Sequence, residues 1–239
     1  MVDHSITTGH DRFRSNRSRR EQLPEAVASY VRDLIMSSQV KPGDFLRMEP
    51  IAEALGVSST PVREGLLALS NEGFVKLIPR RGFVAASVSQ QDVRDLFWTQ
   101  AQFAGELAAR AASKITPADI ARLESINEQF KEAVDNDVQN DITELGHAFH
   151  RLINRAAESR RLSLLLSSAV KQLPNRFYAS IEGHVTATRG DHPELIEALR
   201  FRDPELARTL TENHILDGAD GVIRTMRARS SWGGREKTR

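Results

Sequence analysis

The chain has 239 residues, 40% of them hydrophobic, 27% charged and 6% aromatic, which suits one large domain or two ordinary ones. It has no run of about 18 apolar residues, so a membrane-spanning helix is excluded; the start, MVDHSITTGHDRFRSNRSRR, lacks the apolar stretch of a secretory signal; and the absence of cysteine excludes disulfides, thiolate metal sites and cysteine catalysis. A net charge of +1 conceals a basic front (12 Lys/Arg against 10 Asp/Glu over 1–88), an acidic middle (15 against 21 over 89–223) and a basic end (6 against 1 over 224–239), so the front is the part suited to a phosphate backbone.

In chain order, residues 1–22 carry five arginines between Arg12 and Arg20 and read as a flexible basic arm. Apolar residues at helical spacing (Leu23, Val27, Tyr30, Val31, Leu34, Ile35) open the first helix. A turn at Lys41-Pro42-Gly43-Asp44 precedes a short helix with Ile51, Ala52 and Leu55 on its apolar face, ended by Gly56. Thr60 is the expected N-cap of the third helix, with Pro61 at its first position. Two β runs, 74–78 and 83–86, flank Pro79-Arg80-Arg81-Gly82 and predict a hairpin with a basic tip.

This order predicts a winged helix-turn-helix over 23–88. From Ser89 onward no strand is expected, and about six helices over 89–225 predict an all-α bundle. They are placed at 89–113, 116–135, 141–158 and 161–181, then a shorter one after Pro193, and a last one from Asp203-Pro204-Glu205 to about Arg227. The basic segment 226–239, with Trp232-Gly233-Gly234, reads as disordered.

The second helix of a helix-turn-helix enters the major groove by its N-terminal end. That end carries Ser58, Ser59 and Thr60, whose hydroxyls and backbone N–H groups suit phosphates. Arg63, one turn further in, suits a guanine edge. Arg81 at the hairpin tip suits the minor groove, with Gly82 permitting close approach.

The run from Pro42-Gly43-Asp44 through Leu55-Gly56-Val57-Ser58-Ser59-Thr60-Pro61-Val62-Arg63-Glu64, then Glu72-Gly73-Phe74-Val75 and Pro79-Arg80-Arg81-Gly82-Phe83, resembles the DNA-binding domain of GntR-family transcription regulators. The resemblance implies operator contacts at Ser58, Ser59, Thr60, Arg63 and Gly82. Where the family often has an arginine at the start of the second helix this chain has Glu49, and Arg47 is the nearby substitute.

In the second domain, three of the seven histidines stand out: His150, His192 and His214. Imidazoles from separate helices can converge on a divalent ion such as zinc or nickel. Phe149-His150-Arg151, His192 followed by 195–199, and 203–207 leading to His214 resemble the FCD ligand-binding domain of FadR-type GntR regulators. That resemblance implies a metal held by one Asp and three His, which helps capture a small carboxylate. The three histidines match; the acid's place is taken by Gly146, which removes a charge that favours a dication. Gln100 and Ala104 stand where many members have an Arg and a Glu, so Arg151 or Arg176 is the expected effector-binding cation. Trp98 and Phe103 read as core or dimer contacts.

The expected function is therefore a homodimeric DNA-binding regulator, a repressor and not an enzyme, whose affinity for double-stranded operator DNA responds to a small-molecule effector. Two alternatives stand beside it. One is a DNA-binding module with a non-functional sensor. The other is a metal-dependent enzyme with a DNA-binding appendage, for which no well-placed acid or base accompanies the histidines.

Overall fold

A computed structural model describes residues 7–173 and 185–228. The chain divides into two compact units between Val88 and Ser89. Among the described residues of the first unit the elements are α1 (Thr7–Met36), β1 (Phe45–Leu46), α2 (Met48–Leu55), α3 (Ser59–Asn71), β2 (Val75–Ile78) and β3 (Gly82–Ala85). The antiparallel sheet has the order β1-β3-β2, with Leu46 opposite Phe83 and Ile78 opposite Gly82. This is a winged helix-turn-helix.

Three local expectations are corrected here. Helix α1 starts at Thr7, so the backbone of 7–22 is helical rather than an open arm; the apolar pattern marks only the buried stretch, and an Arg-rich segment is a good helix former without one. The N-cap of α3 is Ser58, not Thr60, and Pro61 is the third helical residue; an N–H is spare anywhere in the first four positions, so proline is tolerated there too. Strand β1 is too short to show alternation and escapes pattern reading.

Apolar burial by Val27, Val31, Val62, Leu66, Leu69, Phe74 and Phe83 makes the core of this unit. Arg32 is 1% exposed; its Nη2 donates to Glu72 Oε2 at 2.7 Å and its guanidinium lies 5.7 Å from the Phe74 ring centroid. A buried cation left unpaired would be far costlier than this pair, so the contact ties α1 to the C-cap of α3. Helices α1 and α3 meet at Gly65, where an added Cβ would stand 2.7 Å from Pro24 O and 2.8 Å from Val27 Cγ1.

The second unit contains, among its described residues, α4 (Gln90–Ala112), α5 (Pro117–Asp135), α6 (Gln139–Ala156), α7 (Arg160–Val170), α8 (Val185–Arg200) and α9 (Pro204–Ala228). Capping boxes fix two starts. Ser89 Oγ accepts from Asp92 N at 3.0 Å while Ser89 N donates to Asp92 Oδ2 at 2.6 Å, and Thr116 and Asp119 repeat the arrangement. Asp203 Oδ1 accepts from Leu206 N at 3.0 Å and caps α9. Small residues on α4 (Ala101, Ala104, Gly105, Ala108) are buried where α4 packs on α9.

Two helix limits differ from expectation. Helix α7 ends at Val170, because Gln172 and Leu173 turn back onto Ala169 O and Val170 O and Pro174 follows; residues 174–181 lie outside the description. Helix α8 begins at Val185 and carries Pro193 inside it. An interior proline costs about 3 kcal/mol, less than the burial of Leu195, Ile196, Ala198 and Leu199 returns at roughly 1.5–3 kcal/mol for each large side chain.

Gly65→Ala is expected to lower the stability of the DNA-binding unit by about 1–3 kcal/mol, since the atoms in the way are backbone and a β-branched side chain. Gly105→Ala, which meets the flexible Glu212 side chain, is expected to cost less. Urea melts of the two variants check both.

Candidate functional site

In the first unit, Arg47, Arg63, Arg80 and Arg81 line one concavity between the N-terminal half of α3 and the wing, together with Phe45 and Gly82. Arg47 is the N-cap of α2. Arg81 N bonds Ile78 O at 3.0 Å, and Arg80 (φ 62) and Gly82 (φ 102) both take positive φ to close the wing turn. Among the described residues none of these four arginines makes an ion pair. The Arg81 guanidinium instead lies 5.4 Å from the Phe45 ring centroid, which gives a long side chain a preferred direction. Ser58, Ser59 and Thr60 are exposed at the start of α3, and the Ser58 side chain makes no capping hydrogen bond, which leaves the helix N-terminus open to an anion. Of the sequence-expected DNA residues, Arg47, Arg63, Arg81 and Gly82 line this concavity, and Ser58, Ser59 and Thr60 lie exposed at the start of α3. Phe45 and Arg80 are additions, and Arg80 was legible as part of the basic tip.

In the second unit, α6, α8 and α9 supply His150, His192 and His214. One ring nitrogen from each lies within 4.8 Å of the others, and the ring centroids are 5.2–5.6 Å apart. His192 is 1% exposed and is sandwiched by aromatics, with Phe149 stacked at 4.0 Å and Phe130 tilted at 5.3 Å. Among the described residues neither of its ring nitrogens has a hydrogen-bond partner. An unpartnered buried polar group costs about 1–3 kcal/mol, so this imidazole fits a ligand that accepts its lone pair. His214 Nδ1 lies 3.0 Å from Asp191 Oδ2, an arrangement that keeps the proton on Nδ1 and presents Nε2 to the cluster. Sequence reasoning missed Asp191, although it adjoins His192. Gly146 is buried one turn before His150, so α6 brings no carboxylate to this point.

Burial holds the His192 imidazole well below its usual 6.5, and the neighbouring His150 and His214 push it the same way. Burial, then His214 and His147, lower His150 to about 3. Burial first and Arg151 second lower His147 as well, against the opposing charge of Glu144. At neutral pH His150 and His192 are therefore neutral imidazoles, the form that ligates metals.

Beside it lies a cavity of about 750 Å³, within the usual range for small-molecule sites. His147, His150 and His214 border it, and Phe97, Gln100 and Ala104 line it from α4. Gln100 is buried and its Nε2 donates to Ala169 O at 3.3 Å. Arg151 reaches the cavity but is mostly exposed, with Glu144 4.0 Å away. Arg176 lies outside the described residues. Thr211, Arg155 and Arg160 also line the cavity and were not singled out in the sequence; the α6 positions were available from helical spacing, because 151, 154 and 155 follow His150 within about a turn and a half of the same helix. Trp98 is 58% exposed on α4, while Phe103 packs against the core.

A winged helix-turn-helix with an arginine-lined reading end, followed by a helical unit with a cavity, defines a DNA-binding transcription regulator. Residues 23–84 match the family described as bacterial regulatory proteins, gntR family, and residues 95–217 match the FCD domain; the chain belongs to the GntR family and carries an FCD domain. It is 24% identical over 215 residues to the HTH-type transcriptional repressor RspR of Escherichia coli K12, covering 89% of this chain and 94% of RspR. It is 26% identical over 221 residues to the Glc operon transcriptional activator of the same organism, covering 82% and 87%. Among solved structures, E. coli McbR/YncC shares the fold with a TM-score of 0.64 at 22% identity, over 84% of this chain and 97% of that one. No helix among the described residues is long and apolar enough to cross a membrane.

The histidine burial carries a pH dependence. Unfolded imidazoles titrate near 6.5, whereas the folded ones stay neutral to lower pH, so the unfolded state takes up protons first on acidification. Chelator-treated protein is expected to keep full stability above about pH 6.5 and to lose it as pH falls from there toward 3, each buried histidine adding at most about 1.4 kcal/mol per pH unit. Urea melts across pH check this, with a flatter slope expected for His150→Gln.

Proposed function

We propose that this chain is a cytoplasmic homodimeric repressor that binds a short pseudo-palindromic operator and responds to a small carboxylate effector held in the helical unit beside a divalent metal. The observation that carries the DNA half is the single concavity formed by Arg47, Arg63, Arg80 and Arg81. In this reading Arg63 contacts a base edge, the hydroxyls of Ser58, Ser59 and Thr60 meet phosphates with the N-terminal N–H groups of α3, and Arg81, steered by Phe45, enters the minor groove beside Gly82. Dimerisation doubles this reading end and matches it to two half-sites; exposed Trp98 on α4 is the residue we place at that interface. The repressor sign is supported by the likeness to RspR, and a reporter that falls rather than rises on deletion of the gene overturns it.

The observation that carries the sensor half is the convergence of three imidazoles, two of them lining a cavity. His150, His192 and His214 would hold the metal, zinc or nickel by the donor set, with positions left open for an effector. A bound dication would supply the positive charge that captures a carboxylate. Thr211 and Arg151 then orient the effector. Effector binding alters operator affinity to the extent that it favours one arrangement of the two reading ends over another. A non-functional sensor is the competing reading, supported by Gly146 in the acid's place, and the reading we propose assigns no catalytic step to the chain.

Operators selected from random duplexes test the DNA half. Arg63→Ala is expected to lose about 1–3 kcal/mol of preference for the selected sequence over a scrambled one, with the fold intact by thermal melting. Unchanged discrimination overturns the role of Arg63.

A further inference from the structure

The tip of the wing carries a residue that its backbone does not favour. Arg81 N donates to Ile78 O at 3.0 Å and closes a β-turn with Pro79 and Arg80 at its two central positions. Arg80 has φ 62, which makes this a type II arrangement: proline suits the first centre, and glycine or asparagine the second. A Cβ in the left-handed region crowds the backbone. Gly82, two residues on at φ 102, meets the same demand without a side chain. Strain of this kind persists only where something else retains the residue.

The other left-handed non-glycine residues among those described each have a local reason. Ser38, Asp137, Glu158 and Arg202 stand two places beyond the ends of α1, α5, α6 and α8, where one left-handed residue lets the chain leave its helix. Arg202 also uses its guanidinium within the chain, donating to Ser113 O at 2.7 Å and to Ile115 O at 3.4 Å. Arg80 follows no helix. Its side chain is exposed, and among the described residues its guanidinium makes neither an ion pair nor a hydrogen bond. It lines the concavity that Arg47, Arg63 and Arg81 share. Its neighbour Arg81 is directed by the Phe45 ring, 5.4 Å away; Arg80 has no such guide. A cation with a fixed direction suits a groove or a base edge. A long, unguided one suits phosphate oxygens, which recur along the duplex and carry no sequence information.

We infer that Arg80 is a phosphate contact of the wing, a cation kept in the turn against the turn's own preference because it meets the DNA backbone. This rests on the reading of the first unit as a reader of duplex DNA, and it adds a contact that supplies affinity without sequence preference.

Fluorescence anisotropy of the full chain on the selected operator and on a scrambled duplex, across a series of salt concentrations, tests this with Arg80→Asn, Arg80→Gly and Arg80→Lys. Asparagine and glycine suit the turn, so those two variants are expected to melt no lower than the unaltered protein. Both are expected to weaken binding to the two duplexes by the same factor. Each should reduce the slope of log affinity against log salt by about 1 per wing, hence about 2 for the proposed dimer, as for one phosphate lost at each wing. Arg80→Lys keeps the charge and should keep the slope. Unchanged affinity and slope in the Asn and Gly variants, a loss confined to the selected operator, an equal loss in the Lys variant, or a lowered melting temperature overturns the phosphate contact while the DNA reading stands. An unaltered protein that binds neither duplex overturns both.

Discussion

The second unit is organised around a desolvated imidazole. His192 sits with both ring nitrogens out of water, flat against Phe149, and without a hydrogen-bond partner among the described residues. Nothing in the packing of α5, α6 and α8 needs a polar ring there, and an aromatic hydrocarbon would fill the space without the penalty. What the arrangement achieves is proximity: the stack on Phe149 aims His192 at His150 on α6 and at His214 on α9, and Asp191 sets the tautomer of the last. Burial also keeps His150 and His192 neutral, which is the condition for donating lone pairs to a cation. An ion bound there would relieve the cost of the unpartnered ring, so its binding would couple to fold stability.

The DNA-binding unit is governed by a different constraint. Its reading end is a set of arginines held on a small, rigid frame. The Arg32–Glu72 pair and the close approach of α1 and α3 at Gly65 fix the base of that frame, while β1 adds an edge to the sheet that carries Phe45 within 5.4 Å of the Arg81 guanidinium. Among the described residues these cationic side chains make no ion pair, so a contact with a phosphate or base edge would break none. Rigidity behind and free charge in front are what a short recognition helix needs to hold register on a duplex.

Much of this was legible in the residues. Thr116-Pro117-Ala118-Asp119 and Ser89-Gln90-Gln91-Asp92 announce their helices because a capping box is a local interaction. The wing and its basic tip follow from two β runs around a Pro–Gly turn. The histidine trio was visible as types and as a resemblance, but its convergence depends on how three helices pack, which no local signal encodes. Proline misleads twice: Pro61 reads as the first residue of its helix although the other early positions tolerate it equally, and Pro193 reads as the boundary before a helix although tertiary packing overrides it inside α8. Arg155, Arg160 and Thr211 escaped notice because a cavity wall is assembled from separate helices, each contributing an unremarkable side chain.

The account stands or falls on whether the three imidazoles hold an ion. X-ray absorption on protein purified without added metal, beside a His150→Ala/His192→Ala/His214→Ala variant, measures this directly. The account predicts near-stoichiometric metal with three imidazole nitrogens at about 2.0–2.1 Å, as for zinc, and its loss in the variant. Absence of metal from both proteins, even after incubation with zinc or nickel, or a coordination shell without imidazole, would contradict it.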